Sequence, residues 1–132
     1  MADFGKEILK DELIDSEVIN GILDLDDGEC DLLVELVEEF AMNYKTDSPK
    51  LLDFINANEY KNIDSAAHKM KGAGANLGMK HFSKIAFIIE QQGKTMNPEN
   101  TDDLLSELNN SFKLTMNYFK GFFSKRGFEF GF

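Results

Sequence analysis

The chain has 132 residues, two prolines, no tryptophan and a formal charge of −10, from 24 acidic against 14 basic side chains. That length suits one domain with a core of its own, and so negative a charge argues against nucleic-acid backbones and anionic membranes, leaving a protein or a metal-bearing partner. Cys30 stands alone, so no intramolecular disulfide can form; no apolar run nears the ~18 residues of a membrane span, and the N-terminus lacks signal-peptide character, so a cytoplasmic location is expected.

Phe4, Ile8 and Leu9 sit amid charge and permit a short amphipathic helix as far as Leu13. Asp15 or Ser16 then offers an N-cap to a short helix whose stripe is Val18, Ile19, Ile22 and Leu23, and Asp26-Asp27-Gly28 ends it. Glu29 to about Lys45 reads as the first long helix, with Leu32, Leu33, Leu36, Val37, Phe40 and Tyr44 inward. Thr46-Asp47-Ser48-Pro49 punctuates, because proline suits the first position of a new helix, which runs through Leu51, Leu52, Phe54 and Ile55 to Ala57. Asn58 or Glu59 opens a helix to Leu77. Lys80 to Gln92 follows, with Phe82, Ile85, Ala86 and Ile89 as its stripe, Phe87 and Ile88 as a second apolar edge toward other neighbours, and Gly93 as its stop. After the loop at Met96–Asn100, Thr101 or Asp102 caps a last helix along Leu104, Leu105, Leu108, Phe112, Thr115, Met116 and Phe119.

The pattern predicts an all-α fold, an antiparallel four-helix bundle with an additional short N-terminal helix. Its parts are an N-terminal extension over 1–14, the bundle over 15–122 and a phenylalanine-rich tail over 123–132. From Tyr118 onward six phenylalanines fall in fifteen residues. They either cover apolar surface left by the last two helices or form a docking peptide or strand, since Phe128, Phe130 and Phe132 alternate.

The helix over 59–77 has two unlike faces. Ile63, Ala66, Ala67, Met70, Gly74 and Leu77 follow the spacing of a buried stripe, while Lys61, Asp64, Ser65, His68, Lys71, Gly72 and Ala75 look outward. Glycine inside a helix costs about 1 kcal/mol relative to alanine, so Gly72 and Gly74 together imply another backbone or an incoming partner close to this helix. Gly78, after Leu77, reads as a left-handed stop. His68 is followed by Lys69 and Lys71 on a strongly acidic chain, and this local basic patch suits a phosphoryl group or an acidic pocket.

His68-x-x-Lys71-Gly72 followed by Leu77-Gly78 resembles the histidine-containing phosphotransfer (HPt) domain. The likeness continues through Phe82, Ser83, Ile85, Ala86, Ile89 and Glu90, and backward through Asp31 to Phe40, so that it spans about Asp15 to Phe122. It implies a phosphocarrier of a two-component phosphorelay, with His68 as phosphoacceptor exchanging its group with receiver-domain aspartates. Partners would be response-regulator receiver domains, with a hybrid sensor histidine kinase as a further candidate, and the chain would be a monomer. No cofactor is expected on this chain; the resemblance places Mg²⁺ on the receiver. Two departures stand out: Lys69 where a small hydroxyl residue is common, and Met70 in place of leucine, a volume-conserving exchange.

In this reading neutral imidazole is a nucleophile near pH 7, most accessible at Nε2. Lys71, one turn along, would stabilise the phosphoryl oxygens and Gly72 would leave them space. Lys61, Asp64, Ser65, Lys69, Ala75, Lys80 and Lys84 would rim the partner surface, with apolar contact from the N-terminal helices. The sequence has no Gly-x-x-x-x-Gly-Lys run, so a carrier without kinase activity is expected. His81 would face solvent or the bundle edge. Two histidines cannot furnish a di-iron site, and the acidic runs lack calcium-loop spacing, so no metal site is expected. An alternative from another class is a docking module that binds and titrates a receiver without carrying phosphate; His68, Lys71 and Gly72 together favour the carrier.

Overall fold

Six helices are present in a computed structural model that describes residues 8–131. They are α1 (Lys10–Leu13), α2 (Ser16–Leu25), α3 (Asp31–Asn56), α4 (Tyr60–Asn76), α5 (Lys80–Thr95) and α6 (Thr101–Ser124). The fold is all-α, with α3 to α6 as the bundle. Of the helix permitted from Phe4, one turn is present as α1, and Phe4 lies outside the described residues. The Asp15 side chain caps α2 by accepting from the Glu17 N–H, and Asp27 and Gly28 leave that helix at φ of 52° and 83°. Asp26 Oδ2 then accepts from the Leu32 N–H at 3.1 Å, so the turn that ends α2 also satisfies a donor in the first turn of α3.

Three expected boundaries move. Pro49 does not open a new helix: it lies inside α3, which runs unbroken for 26 residues. Proline costs a helix about 3 kcal/mol, and here neighbouring side chains offset that cost by tying the segment sideways. Tyr44 and Ser48 both donate to Asn109 Oδ1 on α6, and Asp47 faces Lys69 on α4. Gly93 does not end α5, which continues to Thr95 with Met96 left-handed as its C-cap. A Cβ on Gly93 would lie 2.6 Å from the Asp64 backbone N, so this glycine lets α4 and α5 cross in contact. The N-cap of α6 is Asn100; Thr101 is the first helical residue, buried, and donates to Gln92 Oε1 at 2.6 Å.

The core is aromatic where the four long helices meet. Tyr44 stacks on Phe112 with ring centroids 4.3 Å apart, and Phe82 stands edge-on to Phe40 and Tyr44 at 5.1 and 5.4 Å. Gly74 makes room for this: a Cβ there would meet the Phe82 ring at 2.8 Å. Gly78 takes φ +70° between α4 and α5, its carbonyl accepts from the Asp15 N–H at 2.8 Å, and the start of α2 closes over it. At the far end α6 extends through Phe122 and Phe123, and Phe130 folds back to place its ring 5.2 Å from that of Phe123. No strand forms among the described residues, and Phe119, Phe123 and Phe130 are buried, which favours the covering role for the aromatic tail; Phe132 lies outside the described residues.

Candidate functional site

The two faces expected of α4 are present. Ile63, Ala67, Met70 and Gly74 are buried, while His68 projects from the opposite side with its side chain 67% exposed. One ring nitrogen is nevertheless engaged. Nδ1 of His68 lies 2.5 Å from Oε2 of Glu90 on α5, and Glu90 is 2% exposed. The second carboxylate oxygen, Oε1, accepts from Lys71 Nζ at 2.7 Å. One buried carboxylate thus holds both His68 and Lys71.

The electrostatics fix the proton. Lys71's hydrogen bond holds the Glu90 carboxyl below the usual carboxylate range; burial opposes this, and the contact with His68 reinforces it. An ionised carboxylate only accepts, so Nδ1 carries the hydrogen, and in the neutral ring Nε2 carries the lone pair. The unengaged, outward nitrogen is therefore the basic one. The same geometry leaves unengaged the ring nitrogen that the sequence reading chooses by reach.

Gly72, at i+4 from His68, is exposed, with no heavy atom within 4 Å of where a Cβ would stand. It plays no part in packing, unlike Gly74 and Gly93. The Lys71 ammonium is not free in this state: besides Glu90 it lies 5.2 Å from the centre of the Phe87 ring. Ser83 Oγ donates to the Lys71 carbonyl at 2.9 Å, pinning α5 to the same turn of α4.

The outer residues divide. Lys61, Ser65, Ala75, Lys80 and Lys84 are exposed on α4 and α5. Lys69 instead reaches back to α3, with Nζ 3.6 Å from Asp47 Oδ2. Asp64 turns toward α5 and pairs with Lys94 at 3.2 Å. The second apolar edge of α5 is only partly covered: Phe87 and Ile88 are among the exposed large apolar residues, and the Lys71 ammonium lies over the Phe87 ring. Phe87 and Ile88 precede Glu90 by three and two residues on the same helix.

Of its two expected placements, His81 does not take open solvent. It is half-buried, with Nδ1 2.8 Å from Oγ of the buried Ser111 on α6. Burial pushes its pKa down, the charges of Glu107 and Glu12 oppose that, and Lys84 reinforces it. Its place is a packed junction, not solvent.

Glu90 is the functional residue that the sequence reading left out of the site. A signal for it exists: it is the one acidic residue of α5 and stands four and eight residues after Ala86 and Phe82, on the inward stripe. A carboxylate at a stripe position must find a cation or a donor. Spacing alone does not say which helix supplies it.

A family model for the Hpt domain matches residues 29–113. A search of curated proteins finds no match. Among solved structures, the yeast phosphorelay protein YPD1 is similar with a TM-score of 0.76 at 17% identity, over 89% of this chain and 98% of that one. The histidine-containing phosphotransfer protein B (HptB) from Pseudomonas aeruginosa PAO1 is similar with a TM-score of 0.74 at 17% identity, over 82% and 91%. At such identities the structural likeness shows the fold, a helical bundle; the family match, which spans more than half of the chain and includes His68, Lys71 and Glu90, shows more. The chain belongs to the Hpt domain family, the histidine phosphocarriers of phosphorelays.

Proposed function

We propose that this chain carries a phosphoryl group on Nε2 of His68 between the aspartates of receiver domains. The observation that carries the reading is the 2.5 Å contact between His68 Nδ1 and buried Glu90, which leaves an exposed Nε2 with its lone pair outward. In the forward step the Nε2 lone pair forms the N–P bond as the P–O bond to the receiver's aspartate breaks, and that aspartate leaves as a carboxylate. The Nδ1 proton stays on the ring, which becomes cationic, and Glu90 neutralises it at hydrogen-bonding distance. In the return step the N–P bond breaks, the ring is again neutral, and the second aspartate takes the phosphoryl group. No proton needs to enter or leave the site in either direction.

Positioning and charge do most of the work in a loose phosphoryl transition state. Lys71 supplies the cation beside it, turning from Glu90 toward the equatorial oxygens. Open space beside Gly72 receives them. The receiver supplies the Mg²⁺ and the acidic pocket, which meet the basic patch of α4. Lys61, Ser65, Ala75, Lys80 and Lys84 rim the docking surface, and Phe87 and Ile88 give it apolar contact from α5. The chain contributes no ATP chemistry and acts as a carrier.

The test incubates the chain with a phosphorylated receiver domain and Mg²⁺. Acid-labile, base-stable label on wild type and none on His68→Gln is the expected result. Receiver binding without label on either chain would replace the carrier reading with that of a docking module.

A further inference from the structure

Lys94 lies outside the trio His68, Lys71 and Glu90, yet its charge faces them. It follows Gly93, the residue at which α4 and α5 touch, and this close crossing brings its side chain over both Asp64 and Glu90. Nζ of Lys94 is 3.2 Å from Asp64 Oδ1 and 3.3 Å from Asp64 Oδ2. It is 3.9 Å from Glu90 Oε2, the same oxygen that accepts from His68. Asp64 thus holds the ammonium within Coulombic reach of Glu90 but beyond hydrogen-bond length. At that distance Lys94, which shares its charge with Asp64, reduces the negative potential at Glu90 without competing with His68 for Oε2.

We propose that Lys94, anchored by Asp64, is the standing counter-ion of Glu90, and that this frees Lys71 to leave Glu90 for the phosphoryl group. The inference rests on the carrier reading of His68. Its logic is a conflict in the resting state: Lys71 Nζ is bonded to Glu90 Oε1 at 2.7 Å, while the reacting nitrogen is the one on the far side of the imidazole. Until the N–P bond has formed and the His68 ring is cationic, a carboxylate that is 2% exposed is costly to leave without a cation, and a Lys71 that cannot leave gives the transition state no charge. The charged groups around Glu90 are His68, Lys71 and, through Lys94, Asp64; of the two lysines, Lys94 is the one whose position does not depend on Glu90. Lys94 and Asp64 are therefore positioning residues, and Asp64 belongs to this internal relay and not to the partner rim.

The test measures single-turnover transfer from a phosphorylated receiver to wild type, Lys94→Met, Lys94→Arg and Asp64→Asn, each also in a Glu90→Gln background, with receiver affinity measured separately. Lys94→Met is expected to slow transfer about tenfold, less than the roughly 10²-fold of a reacting group displaced by about 1 Å, with affinity unchanged. Lys94→Arg restores most of the rate, and Asp64→Asn gives a smaller loss. In the Glu90→Gln background, where no carboxylate needs a counter-ion, Lys94→Met has no further effect. A wild-type rate in Lys94→Met, or an undiminished loss in the Glu90→Gln background, would overturn the proposal while leaving a labelled wild type as a carrier. An unlabelled wild type would overturn the carrier reading and this inference with it. Lys94 is half-exposed, so its loss leaves the fold intact, which a thermal melt checks.

Discussion

The chain's two histidines, on neighbouring helices, are held in the same way and end in different surroundings. Each has Nδ1 bonded to a buried oxygen of the next helix, Glu90 Oε2 for His68 and Ser111 Oγ for His81. They differ in charge and exposure. Glu90 is an ionised acceptor that fixes one tautomer and can neutralise a cationic ring, whereas the Ser111 hydroxyl both donates and accepts and can do neither. His68 stands outward beside open space; His81 is half-enclosed among α1, α5 and α6. A reactive histidine needs a fixed proton on one nitrogen and an open approach to the other, and only His68 has both.

The largest effect that separates the two is loss of the nucleophile. His68→Gln is expected to abolish phosphorylation, while His81→Gln keeps it within about twofold, since the site's geometry does not pass through α6; labelling from a phosphorylated receiver measures both. Next comes the acceptor. Glu90→Ala removes the group that orients His68 and Lys71, and transfer should fall by roughly 10²-fold, as for a reacting group displaced by about 1 Å. Stopped-flow transfer kinetics read this directly, and a rate near wild type would make the His68 arrangement no different in kind from that of His81.

Third in size is the crossing beneath the site. Gly93→Ala drives a methyl into the Asp64 backbone, which cannot yield as a flexible side chain would, and should cost about 1–3 kcal/mol in chemical denaturation. Gly72→Ala is the opposite case: nothing stands near its Cβ, so the helix should gain up to about 1 kcal/mol. Under the proposed function transfer should nonetheless slow, because the added methyl would fill the open space assigned there to the phosphoryl oxygens. A variant more stable and equally fast would remove Gly72 from the site.

The smallest effects concern pH. Burial lowers the pKa of His81 from 6.5, so folding favours its neutral ring; the stability this supplies is present above pH 6.5 and is lost as pH falls through the lowered value. Glu90 is lowered from 4.5, so its contribution is present above that pH and disappears only in stronger acid. Thermal melts should therefore show two successive losses on acidification, the first absent from His81→Gln and the second from Glu90→Gln. At the alkaline end Tyr44, pushed up to about 12 by burial, favours the neutral phenol, and its contribution is lost as pH rises from 10 toward 12.

How much of this was legible in the sequence depends on the range of the interaction. The α4 faces, the Asp15 cap and the left-handed Gly78 are matters of spacing within a turn or two, and they read correctly. His68, Lys71 and Gly72 were visible as a local pattern with a family resemblance. Pro49 and Gly93 misled because each is a helix breaker by local rule, while the anchoring of Asp47 and Ser48 and the α4–α5 crossing are tertiary. Glu90 and Lys94 lie 22 and 26 residues after His68, and no periodicity within one helix tells which face of another will meet it. The same limit hid the placement of His81 against Ser111.

The central claim is that Glu90 holds the proton on Nδ1 of His68 and leaves Nε2 to carry the phosphoryl group. Two-bond ¹H–¹⁵N correlation spectra of the ¹⁵N-histidine-labelled chain, before and after phosphorylation, test it most directly. The account predicts an Nδ1–H tautomer for His68 in the resting chain and phosphorus coupling to Nε2 in the phosphorylated one. An Nε2–H tautomer at rest, or phosphorus on Nδ1, would contradict it.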